Sequence, residues 1–342
     1  MAVGFPTKSN WAAGDILTAA QMDDLAGTVN LLQNSAYPNV AGKNTLINGG
    51  MEIWQRGTTF SAAGYTSDRW SGSNSTGTLS ITRSTDVPSS PKFTYSLSLA
   101  NTSGTYPQIN QRIEAANSTI LAGQSVTLSF YAKSTAGSNA VYWISSYAGS
   151  ADNWSSPTND QSGSMTITSS WARYSATFTA SSNASNGYQI LVGRQDASTV
   201  TSTTLITGIQ LELGSVATSF SRNASTYQTE LAACQRYYYR VTAGTSYGAV
   251  SLIGSAQSTT TANFQMPLKA SMRIAPTSVE YSNIFINDGA NLISAGTLVV
   301  SGLINPENGG VTSTTTTLTA FRPYFLCGNN NTAGYLALSA EL

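Results

Sequence analysis

The chain's 342 residues include 16 Asp and Glu, 16 Lys and Arg and no histidine, and that inventory limits what its motifs can do. Gly244-Thr-Ser-Tyr-Gly248 spells the GxSxG of a nucleophile elbow, but a serine there has no imidazole base. Ser89-Ser-Pro-Lys92 spells SxxK, yet Pro91 opposes the helix that would set Ser89 and Lys92 on one face. Gly42-Lys43 lacks both the upstream glycine and the following hydroxyl of a phosphate loop. His-ligated zinc and haem are excluded, and Cys234 and Cys327 are too few for a disulfide scaffold or a Cys-only zinc site. They read as small buried hydrophobes. For catalysis there remains a carboxylate pair, which cleaves glycosidic bonds without histidine, with Asp152, Asp160 and Asp196 as candidates.

Binding chemistry is better represented. Between Tyr142 and Asp160 the chain gathers aromatic rings, which stack on the C–H faces of sugars, and amides and carboxylates, which exchange hydrogen bonds with hydroxyls. The candidate glycan-binding set is Trp143, Tyr147, Asp152, Asn153, Trp154 and Asp160. A strand aromatic such as Trp143 also suits a core, and Trp54, Trp70 and Trp171 read as packing residues. Charged residues make up only 9% of the chain and the net charge is zero, against about 25% charged in ordinary domains. No basic cluster marks a nucleic-acid or anionic-membrane surface. No apolar run is long enough to span a bilayer, and the start lacks the apolar core of a secretory signal, which predicts synthesis in a cytoplasm.

These side chains need elements to position them. Thr18-Ala-Ala-Gln21 reads as a capping box, and Met22, Leu25, Val29 and Leu32 follow at a/d spacing, which predicts an oligomerisation helix. Two heptads leave open the number of copies, and docking of the stripe on its own chain is the alternative. Residues 39–44 form a linker with Gly42. From Thr45 onward the pattern is mainly β: Thr78–Thr82, Ser96–Leu99, Ser125–Lys133, Ala140–Ser145, Tyr174–Thr179, Tyr188–Val192 and Thr207–Leu213 alternate with polar turns, which suits a sandwich or jelly roll over residues 45–224. Ser225-Thr-Tyr-Gln228 reads as the cap of a short hinge helix. Strand patterns at Ala249–Ser255, Ala262–Leu268, Ser278–Ile286, Gly296–Ser301 and Tyr335–Leu342 then predict a smaller C-terminal β domain over 225–342. In the last of these, Leu336, Leu338, Ala340 and Leu342 share one face.

Asn44-Thr-Leu-Ile-Asn-Gly-Gly-Met-Glu-Ile-Trp-Gln-Arg-Gly57 and Tyr65-Thr-Ser-Asp-Arg-Trp70 closely resemble the opening of the carbohydrate-binding-module-like domain of bacteriophage tail fibre and minor tail proteins. Val126–Lys133 resembles that family's central strand, and Ile209–Phe220 its closing strand and turn. Glu230–Tyr239, Met266–Thr277 and Leu338–Leu342 are similar to the C-terminal part of the same proteins, and Trp11–Ala20 to their starts. The resemblance implies a homotrimeric virion appendage, joined to other virion proteins through residues 1–38, whose jelly roll contacts host surface polysaccharide. It also implies a structural calcium, with Glu52 as its first ligand, although no Asp stands near Thr207–Ile209 to complete the pair.

The expectation is a non-enzymatic tail fibre or receptor-binding protein with no cofactor beyond that calcium, no nucleic-acid partner and no membrane insertion. The alternatives are a collar, head-fibre or tail decoration with a purely architectural jelly roll, and a polysaccharide depolymerase acting through Asp152 and Asp160.

Overall fold

A computed structural model describes residues 42–342 except 76, 91, 104–105, 137–139, 195–201 and 303. The oligomerisation stripe Met22, Leu25, Val29 and Leu32, together with Asp196, lies outside the described residues.

Two six-stranded antiparallel sheets form a sandwich. Sheet I runs in spatial order β1 (Thr59–Phe60), β4 (Thr78–Ser84), β5 (Ser96–Ser103), β12 (Ser202–Leu213), β7 (Ser125–Ala136) and β10 (Ala172–Thr179). Sheet II runs β2 (Gly64–Tyr65), β3 (Ser71–Ser73), β6 (Gln108–Ile113), β11 (Tyr188–Arg194), β8 (Ala140–Tyr147) and β9 (Thr158–Thr166). The chain crosses from sheet to sheet at most connections, as the wiring of a jelly roll requires. Every second residue of β7, Val126, Leu128, Phe130 and Ala132, is fully buried against Ile109, Val141, Ile190 and Val192 of sheet II. Each larger side chain so buried contributes about 1.5–3 kcal/mol.

The opening segment laces this sandwich shut. Asn44 donates through Nδ2 to the Ile209 and Ser221 carbonyls and accepts from the Leu46 and Leu211 amides. Asn48, at φ +56°, accepts from the Glu52 and Ile53 amides and donates to the Ile53 and Asp68 carbonyls. A side chain at Gly49 would stand 2.0 Å from the Ile209 carbonyl oxygen, so only glycine lets the Gly49 carbonyl accept from Ile209 N at 2.9 Å. Asn44, Asn48 and Gly49 of the motif therefore serve the closure of the jelly roll.

The C-terminal region adds two antiparallel sheets. Sheet III orders β13 (Tyr238–Thr242), β22 (Tyr335–Ser339) and β16 (Ser278–Ser282). Sheet IV orders β18 (Leu292–Ser294), β17 (Ile284–Asn287), β21 (Pro323–Gly328), β14 (Gly254–Ala256), β15 (Thr261–Pro267), β20 (Asn308–Thr314) and β19 (Thr297–Val300). Together they enclose a core around Phe264, Ile286, Tyr324, Leu326 and Leu338. Four details depart from the sequence reading. Leu336, Ala337 and Leu338 are all fully buried, because β22 is the central strand of its sheet and covered on both faces. The Ser278–Ile286 run breaks into β16 and β17 at Asn283, whose φ is +52°, and the Ala249–Ser255 run supplies only the three-residue β14.

The fourth departure is the hinge. Besides α1 (Ala115–Ser118), the described helix is α2 (Tyr227–Gln235), whose capping box pairs Thr226 with Thr229, one residue later than the Ser225 cap read from the sequence. It packs against the sandwich. Glu230 accepts from the Asn48 and Ala224 amides, and Cys234 and Tyr237 pack with Ile47 and Ile53 of the sandwich. The scarce charges converge on this seam: Arg236 donates to Glu114 at 3.1 and 3.0 Å, Tyr237 Oη donates to the same carboxylate, and Arg69 pairs with Glu341. The Arg69 and Arg56 guanidiniums lie 3.4 and 3.5 Å from the ring centres of Tyr237 and Tyr238.

Candidate functional site: an uncharged groove on sheet II

The strand alternation decides which aromatics are available. On β8, Val141, Trp143 and Ser145 are buried on the inner face, while Tyr142 and Ile144 are half-buried on the outer one. Trp143, expected to meet sugar, is 5% exposed and stacks on Phe178 with ring centroids 4.7 Å apart. Its neighbour Tyr142 is half-buried on the outer face.

Register aligns the outer side chains in rows across sheet II. One row is Ser73, Gln108, Gly193, Tyr142 and Ser164, and the next is Ser71, Asn110, Leu191, Ile144 and Ser162. Five strands spaced about 4.8 Å apart make each row about 19 Å long. Tyr142 Oη donates to Gln108 Oε1 at 2.6 Å, and Gln108 Nε2 donates to Ser73 Oγ at 2.9 Å. Burial, with Tyr106 adding a smaller push, raises the Tyr142 hydroxyl to about 12, so it keeps the proton it donates. Tyr106, 37% exposed and at φ +56°, stands edge-on to Tyr142 at 6.3 Å and 77°. Tyr106, Gln108 and Tyr142, with Ser75, Trp143, Ile144, Ser162, Gly163 and Ser164, line a cavity of about 540 Å³. None of the described lining residues is charged.

The other expected site residues lie elsewhere. Tyr147 packs against the sandwich core. Asp160 accepts from Tyr188 Oη at 2.7 Å and from the Ser181 amide at 2.9 Å. Asp152 accepts from the Ala115 amide at 2.8 Å and lies 3.9 Å from Arg273 of the C-terminal region. Asn153 accepts from the Ser155 amide, and the Trp154 ring lies 5.0 Å from the Arg112 guanidinium. Arg112 in turn donates to Gln189 Oε1 and to the Leu342 carbonyl, so this end of sheet II is covered by the seam. The structure thus joins Asp152 and Trp154 to the seam, Asp160 to Tyr188 and Trp143 to the core, and does not assemble them into one site. Tyr106, Gln108 and Gly193 were missed because they come from the β5–β6 connection, β6 and β11, distant in sequence from β8.

The donor set at Glu52 does not fit a calcium ion. Both carboxylate oxygens accept from Arg222, at 2.6 and 2.7 Å. Among the described residues no group of three His, Cys, Asp or Glu side chains is placed to hold a metal.

No family model matches the chain, and no curated protein matches it. Among solved structures it is similar to the enzymatically active domain of bacteriophage CBA120 tailspike protein 4, at 16% identity and TM-score 0.36 over 50% of this chain, and spans 22% of that one. It is similar to the CBM22-1 xylan-binding domain of Paenibacillus barcinonensis Xyn10C, at 13% identity and TM-score 0.35 over 52% of this chain and 98% of that one. It is also similar to TmCBM61, solved with β-1,4-galactotriose, at 11% identity and TM-score 0.33 over 50% and 99%. At these identities and scores the likenesses assign no function. No helix among the described residues is long and apolar enough to cross a membrane.

Proposed function

We propose that this chain is a non-enzymatic glycan-binding protein of a bacteriophage tail fibre or similar virion appendage, attaching to polysaccharide on the host surface. The observation that carries the binding half is the uncharged tyrosine- and serine-lined groove on the outer face of sheet II. Its hydroxyls and amides exchange hydrogen bonds with sugar hydroxyls at little desolvation cost, and Tyr106 and Tyr142 supply aromatic surface. The phage half rests on the tail-protein resemblance of residues 44–70. Binding is favoured over hydrolysis because Asp152 and Asp160 are both engaged in holding the fold.

A glycan array probed with the full chain tests the binding half, and labelled antibody imaged on particles tests the location. Binding to host surface polysaccharide and label on the tail are the expected results. A folded chain that binds no glycan removes the adhesive role.

A further inference from the structure

We propose that Tyr142 is a flat docking platform for one ring of a neutral sugar, and that the groove selects uncharged over acidic glycans. The inference rests on the glycan-binding reading above and specifies its central contact and ligand class.

The platform depends on Gly193. Its register partners are Tyr142 on one side and Gln108 on the other. A Cβ at residue 193 would stand 2.8 Å from Tyr142 Cζ, Tyr142 Oη and Gln108 Cβ. The tyrosine therefore lies across its neighbouring strand, in the space any other side chain would fill, with one face against backbone. Its far end is fixed by the hydrogen bond to Gln108, which Ser73 fixes in turn. A ring held this way loses little further freedom when a ligand stacks on it. Tyr106 supplies an upright wall, and Ser162 and Ser164, both exposed on β9, supply hydroxyls along the other rim.

The ligand class follows from the lining. A sugar carboxylate or sulfate entering here would exchange its hydration for tyrosine and serine hydroxyls and one amide, with no cation among the described lining residues. Leaving a charge unpaired in a partly dehydrated groove is unfavourable. A neutral pyranose presents a C–H face to the tyrosine and hydroxyls to the rims, and loses nothing comparable.

The test is an array of neutral and acidic polysaccharides probed with wild type, Tyr142→Ala, Tyr142→Phe and Ser164→Arg, each checked by thermal melting. Wild type is expected to bind neutral members only. Tyr142→Ala should weaken that binding about tenfold or more, as loss of an aromatic contact does, and Tyr142→Phe should weaken it less, because the platform stays and only its anchor goes. Ser164→Arg, changed at an exposed position opposite Tyr142, should block the groove even if Tyr142→Ala does not fold. Neutral-glycan binding unchanged in Tyr142→Ala or in Ser164→Arg overturns the platform while leaving glycan binding standing. Binding confined to acidic members overturns the ligand class, and no binding at all overturns the reading beneath it.

Discussion

The Glu52 carboxylate accepts from Nε and Nη2 of Arg222 at 2.6 and 2.7 Å, so a guanidinium from beyond the closing strand neutralises the carboxylate that family resemblance offers to calcium. Arg222 has its pKa raised, first by the hydrogen bonds to Glu52 and against the effect of burial. Melting of the wild type should be the same with added calcium and with a chelator. Arg222→Ala should cost about 2 kcal/mol, less than the ~3–5 kcal/mol of a fully buried pair, because Arg222 is 25% exposed while Glu52 is 7% exposed. A calcium-dependent rise in melting temperature would refute this account.

The seam should make the two β regions unfold together. Glu114→Ala leaves Arg236 and the buried Tyr237 hydroxyl without their acceptor, at about 1.5–3 kcal/mol for hydrogen bonds to a charged group. Calorimetry of the wild type should show one transition, and of the variant a lower or split one.

Asp68 gives stability a pH dependence of unusual sign. Burial pushes its carboxyl up to about 6, against the hydrogen bonds from Gln55 and the charge of Arg56. A folded-state value above the unfolded ~3.9 means that stability is greatest below pH 4, falls as pH rises towards 6, and is level above. The fall is about 3 kcal/mol for a two-unit shift. Glu230, also raised by burial, acts in the same sense. Glu114 acts in the opposite one, because its bonds to Arg236 and Tyr237 outweigh burial and hold it low. Urea midpoints between pH 4 and 7 should fall for the wild type and fall less for Asp68→Asn.

Trp143→Ala and Tyr142→Ala should separate packing from binding at adjacent positions. The first removes a core ring and should cost about 3–5 kcal/mol. The second removes a half-buried outer ring and should leave the melting temperature closer to wild type. Urea denaturation of both variants checks the contrast.

The Met22–Leu32 stripe predicts self-association, and the tail-protein resemblance implies that the assembly is a trimer. Light scattering of the full chain should give three times the chain mass, and deletion of residues 1–38 should give monomers. A monomeric full chain at micromolar concentration would sink the trimer.

Most sandwich strands were legible because their apolar residues alternate, as in Val126, Leu128 and Phe130. Strand β9 was not, because Thr158–Thr166 is an edge strand whose sequence is almost wholly polar and whose order comes from pairing with β8. The site was half legible. The stretch from Tyr142 to Asp160 does reach the groove, where alternation turns the Trp143 ring towards the core and leaves its neighbour Tyr142 on the outer face. Gly193 and Gln108 gave no local signal, since their roles exist only once β6, β11 and β8 lie side by side.

The seam has a consequence for the conditions in which the molecule works. Two of its ion pairs, Arg69 with Glu341 and Arg56 with Glu341, join side chains that are at most 7% exposed, whereas no described residue lining the groove is charged. Mobile ions screen exposed charges over about 10 Å at 0.1 M and buried pairs far less. Those two pairs are thereby insulated from ionic strength, and the glycan binding proposed for the groove is expected to hold equally in dilute and in salty water.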